Sequence, residues 1–515
     1  MANIVRDSVK TTGVNFIAQF GSFIISAIVA ALYGATSNTD IYFYGLSIVL
    51  IFTSAIGGIL KSVFISVFHR YIHKEKADEK EILGSFYLFF ISFLLFLWVI
   101  FVSFSLFGLK FVSIPGIQDN QMFARVLFQL SFLIIFSGFV DCFSTLYNSY
   151  QHFVAPLLTP LLRSVVFITF VFYSKDSLGV ESLSIGTALS ELVQLTALFL
   201  IIRLKGIYFG FKFSFHPAVR KMVKLSLPPF LSNATTRINN FIDGAFVAPL
   251  LIGGVTVLNY SNKIASIPEI FLTGGILTVI LSYWSLERSK NGVSSLEKNI
   301  KKALISITFV VIPMVIFMFV LRVPLVEILY QRKNFTPDLT QKTALLLGLY
   351  SFGLLPLILG RVLTRGFLVL EDTWTPFWVG NIRLLVNFFT NVLFIKIFGF
   401  PGIAISTSVT SLLLFTFMFL TLKRKIKMKN VKDLFVDLGK LIIIGVISSL
   451  LVFLIYNLSQ GILIEILGRF FGLLFLVVCS STIGFIFYVF LSFLFKVSVV
   501  LETITLIKLK YKLIS

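Results

Sequence analysis

Long apolar runs alternate with short polar segments along the whole chain. Fourteen of these runs hold about 20 or more residues, which is the length that a helix needs to cross a bilayer. The polar linkers between them have about 15–20 residues at most and leave no room for a soluble domain. The pattern predicts an all-α polytopic membrane protein with about 14 transmembrane helices. The predicted spans lie at roughly 13–34, 41–68, 82–107, 125–150, 153–173, 183–204, 224–251, 255–285, 303–322, 339–366, 374–396, 402–422, 437–457 and 470–495.

The amino-acid composition supports a membrane protein. The chain is 57% apolar and 13% charged, whereas a soluble domain has about 25% charged residues. A folded surface in water needs more charge than this, so a water-soluble enzyme is excluded, and the high apolar content excludes a disordered chain. Cys142 and Cys479 both lie in apolar runs, and their spacing fits neither a disulfide framework nor a metal site.

The distribution of basic residues predicts the orientation. If the N-terminus is cytoplasmic, 27 of the 44 Lys and Arg residues lie in inside segments and nine in outside segments. Because cytoplasmic loops collect Lys and Arg, this bias places both termini in the cytoplasm. The same loops account for most of the net charge of +21, so we expect no nucleic-acid partner.

The chain also resembles itself at an offset of 217–220 residues. The motif GGIL at 57–60 recurs at 274–277, and four further short matches follow the same order. The repeat unit has six helices, and since six is even, both halves enter the membrane from the same side as a parallel repeat. In transporters built this way, the substrate site lies between the halves. The predicted domains are an N-terminal six-helix lobe at 1–205, a cytoplasmic linker at 206–223, a C-terminal six-helix lobe at 224–425, and two extra helices with a basic tail at 426–515.

Eight basic residues fall inside the predicted spans. Each costs about 2.5–3.5 kcal/mol at the centre of a bilayer, so such residues line wet cavities, pair with acids or extend to an interface. Arg361, Arg365 and Lys440 lie near span ends and are expected to extend to the interface. Arg163 and Arg383 occupy equivalent positions in the repeat, and we expect a structural role at the inner face for both.

Lys263, Arg237 and Lys61 are the candidates for lining a cleft between the two halves. Asp243 and Glu269 lie six residues after Arg237 and Lys263, about 600° around a helix, so neither acid shares a face with its neighbouring base. Pairing with another helix is the alternative. A cationic cleft suits an anionic substrate, and phosphate or pyrophosphate is the typical guest of Arg and Lys.

Two acidic residues are candidates for other roles. Asp243 lies beside two asparagines of its own span and could face Asn387 and Asn391 of span eleven. Such a group of oxygens could hold a cation, and the alternative is an ordinary cluster of hydrogen bonds between helices. Asp40 follows the first outer turn and is expected to cap helix two.

Motifs of common enzymes are absent from the sequence. The four histidines lie at predicted cytoplasmic ends without an HExxH motif, and there is no Walker-type phosphate loop and no GxSxG elbow. We therefore expect no enzymatic activity, no cofactor and no certain metal site. Coupling to Na⁺ or H⁺, or to the membrane potential, is expected in place of ATP hydrolysis.

Four segments resemble a known family. VAALYGATSNTDIYFYGLSI is similar to the end of helix one and the start of helix two in the bacterial lipid II flippase family. INNFIDGAFVAP and LNYSNKIASIPEIFLTGGILTVIL resemble its helices seven and eight, and LTRGFLVLEDTWTPFWVG resembles the segment between its helices ten and eleven. The family is part of the multidrug/oligosaccharidyl-lipid/polysaccharide exporter superfamily, and fourteen helices are typical of this branch.

The resemblance implies a V-shaped pair of lobes that exposes a lipid-linked disaccharide–peptide pyrophosphate to each face of the membrane in turn. Lys263 falls where the family usually has an arginine in the cleft, and Asp40 matches an aspartate after the first outer turn. Gln19 and Thr53 lie near the positions of cleft arginines in helices one and two of the family, and with Asp40 they complete the candidate substrate-binding residues of the cleft. Some members bind sodium between helices seven, eleven and twelve. The ion-coupling residues that this implies are Asp243, Asn387, Asn391 and Thr407.

The expected function is transport of a polyprenyl-pyrophosphate-linked saccharide, lipid II in the first place, from the cytoplasmic to the outer leaflet of a bacterial inner membrane by alternating access. A flippase for another undecaprenyl-linked repeat unit, of O-antigen or capsule type, is one alternative. A cation-coupled drug antiporter is another and would place Asp141, Glu191 and Asp243 in its cavity. A membrane-bound glycan enzyme and an envelope scaffold are further alternatives. Membrane lipid and envelope-synthesis proteins are the expected partners.

Overall fold

The computed structural model is helical throughout the residues that it describes. These residues form α-helices, one π-helical segment and short turns, and no strand occurs among them. The prediction of an all-α membrane protein with about 14 transmembrane helices is confirmed. The described residues are 21–73, 75–106, 117, 119–150, 154–207, 210–212, 215–273, 276–429 and 431–500.

The helices are numbered α1 to α16 in chain order, and the π-helical segment Leu60–Phe64 joins α2 to α3. Their bounds are α1 Gly21–Tyr33, α2 Ser37–Ile59, α3 Ile65–His73, α4 Glu79–Leu106, α5 Asn120–Ser149, α6 Val154–Leu178, α7 Glu181–Leu204, α8 Pro217–Val247, α9 Gly254–Ala265, α10 Ile267–Thr273, α11 Ile276–Val320, α12 Arg322–Tyr330, α13 Pro337–Val369, α14 Trp374–Phe398, α15 Gly402–Lys425 and α16 Val431–Leu494.

Ten of the described helices are long and apolar enough to cross a membrane. One of them, α16, has 64 residues and would measure about 96 Å if it were straight, roughly three times the thickness of the hydrocarbon core. Gly468, with φ of 75°, interrupts its helical geometry, so α16 supplies two spans. Gly292, with φ of 74°, divides α11 in the same way.

Three predicted linkers are partly helical. α8 begins at Pro217 and not near 224, because the Nδ1 atom of His216 accepts a hydrogen bond from the backbone N–H of Ala218 at 3.1 Å. The linker at 323–338 contains most of α12, and the linker at 286–302 is helical on both sides of its kink. The length of an apolar run does not detect such turns, because helices continue beyond the hydrocarbon core with polar side chains.

Two predicted spans are broken helices. Span two consists of α2, the π-helical segment and α3, and the π-helical turn starts at Leu60, shortly after the glycine pair at 57–58. Span eight consists of α9, α10 and the first part of α11. π-Helical turns are rare and are frequent at functional sites.

Contacts divide the chain into two compact units, Met1–Asn259 and Tyr260–Ser515. In the first unit, α2 packs against α5 and α8, and α7 packs against α5 and α6. In the second unit, α13 packs against α11 and α15, while α16 packs against α11. The predicted lobe boundary at 206–223 comes from the internal repeat, which is a different criterion, and it stays a prediction.

Ion pairs within each unit link loops and helix ends that the alternating topology places on the same side of the membrane. The outer pairs join segments predicted outside, and the inner pairs join segments predicted inside. The pairs are Arg125–Glu181 and Arg469–Glu327 on the outer side, and Lys212–Glu81 and Lys425–Asp372 on the inner side.

Candidate functional site

Asp40 and Thr256 join the predicted outer ends of α2 and α9 within the first unit. One carboxylate oxygen of Asp40 accepts hydrogen bonds from the backbone N–H of Thr256 at 2.8 Å and from its hydroxyl at 2.7 Å. Asp40 is 6% exposed and Thr256 is fully buried. The two donors replace the water that the carboxylate loses on burial. Asp40 belongs to the first predicted six-helix half and Thr256 to the second, so this bond joins the two predicted halves.

The expectation that Asp40 caps helix two is wrong. Thr36 is the N-cap of α2, and its hydroxyl accepts from the backbone N–H of Thr39 at 3.3 Å. The hydroxyl of Thr39 accepts in turn from the backbone N–H of Thr36 at 2.8 Å, which completes a capping box. Because these two threonines satisfy the helix start, the carboxylate of Asp40 is available for Thr256.

Gly253 allows the turn before α9 to approach α2 closely. Its φ is +77°, and a Cβ atom added there would lie 2.3 Å from the carbonyl oxygen of Ala35. A residue with a side chain would therefore push the turn away from α2 and lengthen the bonds to Asp40. Thr256 was missed in the sequence analysis, and the signal that could have found it is the glycine pair at 253–254, which ends two residues before it.

Two faces of α8 carry three polar candidates. Arg237 is half-buried and makes no hydrogen bond or ion pair with the described part of the chain. Asn239 and Asp243 lie one turn apart on the same face and are 6% and 4% exposed. The Oδ1 atom of Asn239 is buried and accepts no hydrogen bond from the described residues. α8 thus carries a half-buried arginine on one face. On another face it carries two buried side chains with oxygen atoms of the kind that bind cations.

The second unit contains Lys263 and the basic residues of α13. Lys263 is half-buried in α9. Glu269 of α10 forms an ion pair with Arg361 of α13, which the sequence analysis had expected to extend to the interface alone. Pairing of this kind fits the general behaviour of charges in membrane spans. Arg365, one turn after Arg361, is half-buried as well.

The predicted inner-face arginine of the first unit has a partner. The guanidinium of Arg163 in α6 lies 2.8 Å from a carboxylate oxygen of Glu191 in α7. The side chain of Glu191 is only 6% exposed, whereas that of Arg163 is 39% exposed. The arginine therefore neutralises a buried acid and links two adjacent helices. Arg383, its repeat equivalent, is half-buried in α14 of the second unit.

A polar layer lies between α14 and α15 in the second unit. Asn387 and Asn391 are 1% and 0% exposed. The hydroxyl of Thr390 lies 2.6 Å from the hydroxyl of Ser406 and 3.0 Å from that of Thr410. The hydroxyl of Ser406 also donates to the Oδ1 atom of Asn387 at 3.4 Å, so Asn387 belongs to this layer, whereas the buried Oδ1 atom of Asn391 accepts no hydrogen bond from the described residues. Thr407 lies on the neighbouring part of α15 and donates its hydroxyl to the carbonyl of Ile403 at 3.1 Å.

The remaining predicted residues are placed as follows. Thr53 is buried in α2 at 5% exposure. Lys61 belongs to the π-helical segment, and only the backbone of this residue is described. Gln19 lies outside the described residues. Across the described chain, no group of three or more His, Cys, Asp and Glu side chains could hold a metal ion.

Comparison with known proteins identifies the family. A family model described as lipid II flippase MurJ matches residues 29–472, which include most of both predicted six-helix halves. The chain belongs to the lipid II flippase family. The resemblance seen in four segments of the sequence is therefore confirmed over most of the chain.

Relatives in the lipid II flippase family match at moderate identity. A probable lipid II flippase MurJ of Vibrio cholerae is 27% identical over 294 residues, and the match spans 56% of each chain. A second, from Buchnera aphidicola subsp. Acyrthosiphon pisum, is 25% identical over 497 residues and spans 91% of this chain and 94% of that relative. A solved structure of a lipid II flippase MurJ in an inward closed conformation superposes with a TM-score of 0.78 at 21% identity, over 95% of this chain and 98% of the other. This likeness shows the fold.

Proposed function

We propose that this protein is a flippase of a bacterial inner membrane that moves lipid II from the cytoplasmic to the outer leaflet, with both of its own termini in the cytoplasm. Lipid II is a lipid-linked disaccharide–peptide carried on pyrophosphate. The observation that carries the proposal is the match to the lipid II flippase family over residues 29–472. The protein works by transport, without covalent chemistry on its substrate.

The bond between Asp40 and Thr256 supports alternating access. It closes α2 and α9 against each other at the predicted outer end, and it joins the two predicted halves. Two conformations that differ by a few kcal/mol can exchange when bonds of this strength break and re-form. Opening toward the outside requires the carboxylate of Asp40 to leave Thr256 and to be solvated by water.

Arg237 and Lys263 are the proposed contacts for the pyrophosphate of the substrate. Arg237 is half-buried within a span and has no ion-pair partner in the described part of the chain, which is costly unless an anion arrives. Pyrophosphate supplies such an anion and accepts hydrogen bonds from both kinds of basic side chain. The polyprenyl tail stays in the lipid phase while the head passes between the lobes.

A cation gradient or the membrane potential is the proposed driving force. Asn239 and Asp243 place two buried oxygen donors one turn apart on α8, and Asn387, Asn391 and Thr407 are the further candidates. Oxygen-rich groups of this kind suit Na⁺, and a carboxylate alone suits H⁺. The potential contributes about 2.3 kcal/mol per elementary charge for each 100 mV.

Complementation of a bacterium depleted of its own lipid II flippase tests the proposal. The unaltered chain is expected to sustain growth, Lys263→Ala to abolish it, and Lys263→Arg to retain it because the positive charge is kept. Lys440→Ala is the matched control, since Lys440 lies 3.9 Å from Asp437 near a helix end and is expected to be dispensable. All variants are checked for insertion by immunoblot of membranes.

Growth with Lys263→Ala at the level of the unaltered chain would contradict the assignment of Lys263 to the cleft. If the unaltered chain inserts but does not sustain growth, lipid II is the wrong substrate. A second complementation, in a strain that lacks the flippase for an undecaprenyl-linked polysaccharide repeat unit, then tests the alternative substrate class.

A further inference from the structure

A groove lined by phenylalanines lies between α2, α4 and α8 in the first unit. Phe86, Phe89, Phe90 and Phe93 of α4 form one wall of this phenylalanine groove, and the π-helical segment and the first turns of α8 form the others. The cavity volume of the groove is about 250 Å³. This is below the range of about 300–1,000 Å³ that is typical of pockets for drug-sized ligands, so the groove suits a narrower guest such as a single alkyl chain.

The lining of the groove selects an apolar ligand. Among the described side chains that line the groove, Ser226 is the one polar residue, and its hydroxyl already donates to the carbonyl of Met222 at 2.6 Å. The groove follows α4, one of the apolar helices that cross the membrane, so the medium at its open side is hydrocarbon. An empty apolar groove forfeits dispersion contacts along its walls, and an alkyl chain restores them.

Two cations lie beside the groove at the predicted cytoplasmic end of α8. Arg220 and Lys224 flank the groove-lining Val223 along the helix, and both are exposed. Within the described chain neither makes an ion pair or a hydrogen bond, whereas the ammonium group of the neighbouring Lys221 lies over the ring of Tyr71. Exposed basic residues at the membrane surface attract the anionic headgroups of lipids.

We propose that the phenylalanine groove binds an acyl chain of an anionic phospholipid whose headgroup lies at Arg220 and Lys224. The placement of this lipid in the inner leaflet rests on the proposed function, in which both termini are cytoplasmic. Arg237 lies 17 residues farther along α8, about 25 Å away, so the headgroup at Arg220 is not the one that Arg237 contacts. This site is therefore separate from the transport cleft. The walls of the groove come from both predicted halves, so the bound chain stabilises the packing of α8 against α2 and α4.

Native mass spectrometry of the full chain with dioleoyl phosphatidylglycerol tests the site. Ser226→Phe fills the groove and is expected to reduce retained phosphatidylglycerol at least fivefold. Leu225→Phe is the matched control, because Leu225 is 47% exposed and does not line the groove; it is expected to change retention less than twofold. Equal retention by the two variants would overturn the proposal.

The headgroup contact is tested separately with an Arg220→Gln/Lys224→Gln double variant. Its preference for phosphatidylglycerol over phosphatidylcholine is expected to fall to about one, while Ser226→Phe removes both lipids. An undiminished preference would overturn the placement of the headgroup. Displacement of phosphatidylglycerol by an equimolar amount of undecaprenyl diphosphate would overturn the choice of a phospholipid as the occupant.

A fluorescence measurement avoids filling the groove. Val223→Trp places an indole at its edge, and phosphatidylglycerol with brominated chains is expected to quench the added emission at least twice as strongly as brominated phosphatidylcholine at the same mole fraction. Equal quenching would contradict the site. None of these measurements uses lipid II or transport, so their failure is distinguishable from failure of the proposed function.

Discussion

The hydroxyl and the backbone N–H of Thr256 both donate to one oxygen of the buried carboxylate of Asp40. This contact depends on Gly253, because only a residue without a side chain permits the turn before α9 to pass against the backbone of Ala35. Glycine is favoured where φ is positive and another backbone lies close, and threonine supplies the hydrogen-bond donors that a buried carboxylate requires. The contact between α2 and α9 thus rests on the smallest residue in the turn.

Gly253→Ala is expected to destabilise the protein more than the same change at another glycine with positive φ. Gly206 has φ of +67° and open space around an added Cβ, so Gly206→Ala has only the backbone cost of about 1–2 kcal/mol. Gly253→Ala has this cost and a collision with the carbonyl oxygen of Ala35 in addition. Thermal denaturation in detergent measures the difference. Equal losses in the two variants would show that the turn does not lie against α2.

At the scale of elements, ion pairs connect neighbouring segments through residues that lie far apart in the sequence. Arg163 and Glu191 link α6 to α7, and Lys425 at the end of α15 links to Asp372 in the loop before α14. In both pairs the acid is less exposed than the base: the side chain of Glu191 is 6% exposed and that of Asp372 is 14% exposed. Burial of the acid reduces the competition of water for the pair.

Arg163→Met is expected to lower the free energy of unfolding by about 1.5–3 kcal/mol, because it leaves the buried carboxylate of Glu191 without its charged donor. Lys175→Met on the same helix is the control. Lys175 lies 3.9 Å from the exposed Asp176, and exposed pairs of this kind contribute about 0–1 kcal/mol. Denaturant titration in detergent measures both changes. A loss at Arg163 no larger than that at Lys175 would contradict the role of the pair.

Asp372 predicts a pH dependence of stability. Partial burial raises the pKa of its carboxyl, but hydrogen bonds from Lys425 and Thr375 outweigh this and lower the pKa to about 2. Because the pKa in the folded state lies below the value of about 3.9 in an unfolded chain, the interaction stabilises the protein fully above pH 4. This contribution is lost as the pH falls through 2.

The stability of the unaltered protein is therefore expected to fall between pH 4 and pH 2 more steeply than that of Asp372→Asn, measured by thermal denaturation in detergent. Asp338→Asn is the control, since Asp338 pairs with Lys342 at an exposed position on the other predicted side. Parallel pH profiles of Asp372→Asn and the unaltered protein would refute the assignment.

For the whole molecule, the alternation of helices determines which ends share a side. The outer pairs Arg125–Glu181 and Arg469–Glu327 each join two segments that the basic-residue count places outside. The inner pairs join two segments that it places inside. Pairing of this kind supports the order of crossings, and the excess of Lys and Arg selects which side is cytoplasmic.

Labelling of single cysteines tests this orientation. Lys333 and Lys427 are a matched pair, because both are exposed and both adopt a positive φ, of 47° and 51°. In a background with Cys142 and Cys479 replaced by alanine, Lys333→Cys is expected to react with a membrane-impermeant maleimide added from outside the inner membrane. Lys427→Cys is expected to react only after lysis. The opposite pattern would invert the topology.

The sequence alone determined the class of protein, the number and approximate position of the spans, and the family. These properties follow from the partition of side chains between hydrocarbon and water, which depends on each segment by itself and so is legible in run length and composition. The kinks at Gly292 and Gly468 and the helix at Arg322–Tyr330 escaped this reasoning, because a kink leaves the hydropathy of a run unchanged and a helix of nine residues is too short to be counted as a span.

Only the tertiary structure decided which polar side chains meet. Asp40 bonds to Thr256 and not to its own helix start, Glu269 pairs with Arg361 although it was weighed only against Lys263, and Arg163 finds Glu191 on the next helix. Each pairing depends on which helices pack together and on how they are rotated, and neither is a property of a single segment. Hydrophobic periodicity selects the buried face of a helix but leaves its partner undetermined.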